Sequence, residues 1–226
     1  MNIGFIGLGT MGYPIAMNIS KKYKVNIFNR TISKSNKHSN DYKTIIKKSI
    51  QDLFDDSDVI FTCVSTSNIL NNILKDIKNN GSKKYLIDCT SGNPDTTIII
   101  HNYLKEINIE MLDSPISGGP DKALKGNLCS MVGGNFESFN ILKDILLTFS
   151  NPIYVGEIGS AHALKAINNI LNVSQLCMAT EAIKSLGKYN ITFNKACEVI
   201  KNSSGRSLMT QERIPKDIIN ERYNYG

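Results

Sequence analysis

The chain has 226 residues, enough to bury one large core or two smaller ones. Its formal charge of +6 is carried by lysines scattered among asparagines, with no block of like charge that would mark a nucleic-acid-binding tail. No apolar run approaches the ~20 residues a membrane span needs. The five cysteines (Cys63, Cys89, Cys129, Cys177 and Cys197) are odd in number, widely spaced and free of any CxxC pair, so they read as reduced, packed thiols and no metal site is expected.

The first element is a strand over Asn2-Ile3-Gly4-Phe5-Ile6. It begins at once, with no charged n-region and apolar h-region before it, so a cytoplasmic chain is expected, or a mitochondrial one if a leader has been removed. Gly7-Leu8-Gly9-Thr10-Met11-Gly12 follows, and then Tyr13–Ile19 with apolar residues at helical spacing. Strand, glycine turn and helix are the parts of a dinucleotide-binding unit. The first glycine permits a tight turn, the second lets backbone approach a pyrophosphate, and the third lets helix pack against strand. The helix then offers unpaired N–H groups and the positive end of its dipole to phosphates. Glycines also mark ordinary turns; here the flanking strand and helix favour cofactor binding by Gly7, Leu8, Gly9, Thr10, Met11 and Gly12.

Lys24–Phe28 alternates as a second strand and ends in Asn29-Arg30-Thr31. An NAD-binding chain usually places Asp or Glu there for the ribose 2′-hydroxyl, yet no acidic residue lies between Gly12 and Asp41. Arg30, flanked by Asn29 and Thr31, can pair with a 2′-phosphate instead. The cofactor expected is NADP(H), with NAD(H) possible; an exposed arginine at a strand end is the plainer reading.

Residues 33–43 read as a loop or short helix, and Ser49 as a helix cap before the buried strand Asp58–Val64. The polar loop Ser65-Thr66-Ser67-Asn68 should border the cofactor, since ligands sit beyond the carboxyl ends of parallel strands. A strand over Tyr85–Cys89 opens into Thr90–Thr97, which caps a helix to about residue 106. Glu110–Asp113 is a short strand. It releases Ser114-Pro115-Ile116-Ser117-Gly118-Gly119-Pro120, whose small residues could form an anion-binding nest or simply a flexible turn. Strands at 128–132 and 152–155 enclose a helix at 136–149. Beyond Gly156 the pattern is helical only: a long helix capped by Ser160 and running to about Lys188, then helices at 192–202 and 205–212. The expected fold class is α/β, a Rossmann-type doubly wound sheet (1–157) followed by a smaller all-helical domain (158–226).

Near the start of the long helix, Lys165 and Asn169 stand one turn apart on one face, with His162 three residues earlier. A lysine can polarise and protonate a carbonyl oxygen as hydride arrives, and an asparagine can hold the lysine or the substrate. Taken alone, the helix also fits a solvated lysine whose stem lies on apolar surface. His162 alone reads as a surface or packing histidine.

Together and in order, the glycine turn, Asp88-Cys89-Thr90-Ser91, Asp113–Gly119, the spacing to Gly126 and Gly133-Gly134, and Gly159–Asn169 resemble the β-hydroxyacid dehydrogenase family. This family includes 3-hydroxyisobutyrate dehydrogenase and the glyoxylate/succinic semialdehyde reductases. The resemblance spans nearly the whole chain and implies hydride transfer between NAD(P) and a small hydroxy acid or its aldehyde. By position it implies Lys165 as catalytic lysine and Asn169 as its partner at the substrate. It further implies Ser117, Gly118 and Gly119 as the loop that binds a small carboxylate substrate, and Val64, Ser65 and Ser91 as cofactor contacts. Family members often continue through further helices with a Lys-Asp pair, so a C-terminally short chain is expected. The long helix and the apolar faces such shortness exposes imply a homodimer or higher homo-oligomer. Decarboxylating 6-phosphogluconate dehydrogenase shares the Asn29-Arg30-Thr31 and His162–Asn169 patterns and is the competing enzyme class. A non-catalytic cofactor-binding interaction module is the competing non-enzyme reading.

Overall fold

A computed structural model describes residues 1–79 and 81–221 and divides the chain into two compact units, Met1–Lys165 and Ala166–Gly226. In the first unit, β1 (Ile3–Ile6), β2 (Val25–Phe28), β3 (Ile45–Ile46), β4 (Val59–Thr62), β5 (Lys84–Asp88) and β6 (Ile109–Asp113) run parallel in the order β3-β2-β1-β4-β5-β6. The order reverses between β1 and β4, and the carboxyl ends of those two strands are where such a sheet opens a crevice. β7 (Ile116–Ser117) and β8 (Leu128–Gly133) extend the sheet antiparallel, and β9 (Ser150–Gly156) pairs parallel with β8.

Helices cross between the strands: α1 (Gly12–Ser20), α2 (Ile32–Tyr42), α3 (Ile50–Asp55), α4 (Ser67–Leu74), α5 (Pro94–Glu106), α6 (Gly119–Leu124) and α7 (Phe136–Leu146). β1 and β4 are buried at every position, as strands covered on both faces must be. Their side chains alternate between two cores. Ile3, Phe5, Val59 and Phe61 pack with Ile15, Ile19 and Phe149 on one face; Ile6 and Ile60 pack with Leu53, Phe54, Leu70 and Leu104 on the other. The Ser49 cap forms as a reciprocal box with Asp52, and the Asn93 side chain caps α5 through the Thr96 N–H at 3.0 Å.

Two strands of the sheet, β3 and β7, have two residues each, too short for alternation in the sequence to reveal them. Ile32–Tyr42, polar from Ser33 to Asp41, form a full helix whose C-terminus is closed by Lys43 in the left-handed region.

The long helix, α8, runs Ser160–Ser185, so its first turn and a half belong to the first unit and the rest to the second. The second unit adds a short 3₁₀ turn (Leu186–Tyr189) and α9 (Phe193–Ile200), capped by Thr192. A wide helical segment, Met209–Ile218, follows. Ile183, Ala196, Cys197, Met209 and Ile214 form a small core there. The last segment begins later and runs further than its sequence pattern implies, and Pro215 lies inside it. A proline removes one N–H and crowds the carbonyl a turn earlier, and a widened turn is one way a helix absorbs it.

Candidate active site

The glycine turn is shaped by close contacts at two positions. Gly7 has φ +100°, and a β-carbon on it would strike the Cys63 carbonyl; one on Gly12 would strike the Gly7 carbonyl and the Phe5 ring. These two glycines are required by the protein itself. Gly9 is different, for a β-carbon there would meet no protein atom within 4 Å. A side chain would project only into the space beyond the turn, which is where a pyrophosphate needs room. The N-terminus of α1 receives no side-chain cap, leaving its N–H groups for an anion. The residues present therefore fit a dinucleotide. Leu8 is buried, Gly9 and Thr10 are exposed, and Met11 is half-buried against the core.

Asn29 ties the turn to the end of β2. Its Oδ1 accepts the Leu8 N–H at 2.9 Å, and its Nδ2 donates to the Thr31 carbonyl at 3.0 Å. Arg30 and Thr31 are exposed beside it, and the Arg30 guanidinium has no protein partner among the described residues. Past β4, the Val64 N–H donates to Thr90 Oγ1 at 3.2 Å, which links the loops after β4 and β5. Ser65 and Ser91 are exposed on those loops.

The Ser117-Gly118-Gly119 segment leaves β7 and enters α6. Gly118 and Gly119 have φ of 141° and 75°, backbone that favours glycine. Across the ladder from Ser117 stands Cys129 of β8. Lys165 is half-buried; burial pushes its ammonium below the ordinary lysine range, opposed by the nearby Cys129. Asn169 is exposed one turn further along α8.

The start of α8 departs from expectation. Ser160 Oγ is buried with no hydrogen-bond partner, so this hydroxyl does not cap the helix. The carboxylate of Asp113, at the end of β6, does so instead: Oδ1 accepts the Gly159 N–H at 2.9 Å and Oδ2 the His162 N–H at 2.8 Å. A carboxylate beside the positive end of a helix dipole is a stronger cap than a hydroxyl. His162, read from the sequence as a surface or packing residue, is fully buried. Its Nε2 lies 2.9 Å from the Thr90 carbonyl and its Nδ1 2.7 Å from Thr97 Oγ1. Asp88, also buried, takes the Thr62 hydroxyl at 2.8 Å and the Thr90 N–H at 3.0 Å on one oxygen. Burial raises the Asp88 carboxyl above its ordinary range, with His162 the largest opposing influence. The Asp88-Cys89-Thr90-Ser91 motif was visible in the sequence, but its meeting with His162 was not.

Among the described residues no cluster of three or more His, Cys, Asp or Glu is arranged to hold a metal, and no helix is long and apolar enough to cross a membrane.

Two families of known proteins match successive parts of the chain. Residues 2–159 match the family described as the NAD-binding domain of 6-phosphogluconate dehydrogenase. Residues 159–226 match that described as the NAD-binding part of NADP-dependent 3-hydroxyisobutyrate dehydrogenase. The chain is 27% identical to the 2-(hydroxymethyl)glutarate dehydrogenase of Eubacterium barkeri, over 100% of this chain and 77% of that protein. It is 31% identical to human mitochondrial 3-hydroxyisobutyrate dehydrogenase, over 90% of this chain and 62% of the relative. The structure of Mycobacterium tuberculosis 3-hydroxyisobutyrate dehydrogenase with L-serine shares the fold at a TM-score of 0.87 and 22% identity, covering 96% of this chain and 75% of that one.

Proposed function

The chain belongs to the β-hydroxyacid dehydrogenase family of NAD(P)-binding oxidoreductases, and we propose that it moves a hydride between NADP(H) and a small β-hydroxy acid or its semialdehyde or keto acid. The observation that carries this reading is Lys165: a half-buried lysine with lowered proton affinity at the start of α8, in a chain whose glycine turn leaves room for a dinucleotide. When bound, the nicotinamide supplies or accepts the hydride. Lys165 donates a proton to the carbonyl oxygen in reduction and accepts it in oxidation, its partial desolvation bringing its proton affinity toward that task. Asn169, one turn on, holds the lysine or the substrate oxygen. Ser117 with the N–H groups of Gly118 and Gly119 anchors the substrate carboxylate, fixing which carbon faces the cofactor.

Arg30 supports NADP(H) over NAD(H), since among the described residues its guanidinium has no partner, and it follows β2 where an NAD-binding chain would usually carry a carboxylate. Residues 1–157 serve as the cofactor domain and 158–226 as the substrate and oligomerisation domain. The second unit's part of α8 exposes Ile167, Ile170, Leu171, Val173 and Met178, which supports a homodimer or larger homo-oligomer.

The test is titration with NADPH and NADH by nicotinamide fluorescence, followed by turnover on small aldehydes and keto acids. NADPH is expected to bind more tightly, by a preference that Arg30→Asp removes. Lys165→Ala is expected to lower kcat about 10²–10⁴-fold with NADPH binding retained. Because the protonated lysine is the donor and its pKa is lowered, reduction should slow as pH rises through that lowered value, and oxidation should quicken. Cofactor binding without turnover by the unaltered protein would overturn the enzymatic reading in favour of a binding module.

A further inference from the structure

The two buried carboxylates Asp88 and Asp113 face a single imidazole. Asp88 Oδ2 lies 3.8 Å from His162 Nε2, and Asp113 Oδ2 lies 3.7 Å from His162 Nδ1. All three side chains are at most 1% exposed. The hydrogen bonds around the ring constrain where its protons are. The Thr90 carbonyl 2.9 Å from Nε2 can only accept, so Nε2 carries a hydrogen. Thr97 has one hydroxyl hydrogen and two neighbours for it, the Asn93 carbonyl at 2.9 Å, which can only accept, and His162 Nδ1 at 2.7 Å. Given to the carbonyl, that hydrogen leaves only lone pairs facing Nδ1, and Nδ1 then carries a hydrogen too; the carboxylates of Asp88 and Asp113 on either side of the ring favour this arrangement. A ring with both nitrogens protonated is a cation.

That charge accounts for an otherwise costly feature. Asp88 Oδ2 is buried and has no hydrogen-bond partner, whereas Oδ1 has two. An uncompensated buried carboxylate oxygen is strongly unfavourable unless a countercharge stands close. The other titratable groups bearing on the cluster do not supply one. Burial pushes the Cys63 thiol up to about 12 and the Cys89 thiol well above its ordinary range, so both are neutral, and burial lowers the proton affinity of His101 near Asp113 and Glu110. Lys105 acts on His101 from the exposed side of α5.

We propose that His162 is an imidazolium clamped between Asp88 and Asp113, and that this clamp is the positioning device for Lys165, three residues further along α8. The clamp joins the ends of β5 and β6, the first turn of α5 through Thr97, and the first turn of α8, whose N–H groups Asp113 also caps. A neutral residue at position 162 leaves two carboxylates facing each other and loosens the turn that carries the lysine. The protonation of His162 stands on the cluster alone; its link to catalysis rests on the reading of Lys165 given above.

The experiment is histidine ring ¹⁵N–¹H correlation NMR on the full chain, labelled at its three histidines, with His38→Asn and His101→Asn variants assigning the signals. Near neutral pH the remaining histidine should show both ring nitrogens in the protonated range, and Asp88→Asn, which removes one of the two facing carboxylates, should turn it to a neutral-tautomer pattern at the same pH. A neutral-tautomer pattern for His162 in the unaltered protein would overturn the clamp and place the proton on Asp88. For the catalytic link, His162→Gln keeps one donor toward the Thr90 carbonyl but removes the charge. It should lower kcat about 10–100-fold with NADPH affinity unchanged. An unchanged kcat overturns the positioning role. If Lys165→Ala retained full turnover, the assignment of the lysine would fail while the NMR result stood.

Discussion

The two units differ in how much of their apolar surface they cover, although the first also leaves single side chains such as Ile99 and Phe136 exposed. The first encloses a sheet between helix layers and gathers its large side chains into two cores, one on each face. Among the described residues the second has a core of five buried residues and, on its stretch of α8, leaves Ile170, Val173 and Met178 more than 60% exposed. A parallel sheet must be covered on both faces within one chain, because each crossover lays a helix on it. A long helix has no such obligation, and one that is apolar around much of its circumference is built to be covered by something besides its own loops. The first unit is thus expected to owe its stability to internal packing, and the second to association.

The sharpest way to break that contrast is Gly12→Val. The new side chain would drive into the Gly7 carbonyl and the Phe5 ring, so we expect the first unit to lose about 3 kcal/mol or more and cofactor binding to vanish. Denaturant unfolding followed by Phe and Tyr signals measures the loss. A variant as stable as the parent would mean the turn is not held by packing. A smaller effect, confined to assembly, is expected from Ile170→Glu combined with Val173→Glu. Both positions are exposed, so a single chain should fold as before while light scattering falls to the monomer mass. Monomers of the unaltered protein at micromolar concentration would erase the distinction between the units. The smallest effect should come from Lys195→Ala, which removes an ion pair to Glu198 at 2.8 Å on the open face of α9. Both side chains are well exposed, and the melting temperature should not move measurably.

The glycine turn was legible because its whole logic lies within about twenty residues: an apolar strand, three spaced glycines and a helix. The same holds for the Ser49 box, where cap and partner stand three residues apart. The α2 helix, β3 and β7 were missed or left open because neither polar residues nor two-residue strands carry periodicity. The cap of α8 was misassigned for a different reason. Ser160 has the right residue type in the right place, but the sheet brings Asp113 to the same N–H groups, and a buried carboxylate displaces a hydroxyl as the better acceptor.

By itself, then, the sequence determined the elements whose causes are local: the strand–turn–helix of the dinucleotide site, Arg30 at the end of β2 without a neighbouring carboxylate, and Lys165 one turn ahead of Asn169. Only the tertiary structure decided what surrounds them. Asp88 and His162 are 74 residues apart and Asp113 and His162 are 49 apart, and no spacing rule links them. They meet because β5 and β6 are adjacent parallel strands whose ends both abut the start of α8, where all three side chains are buried beside one another.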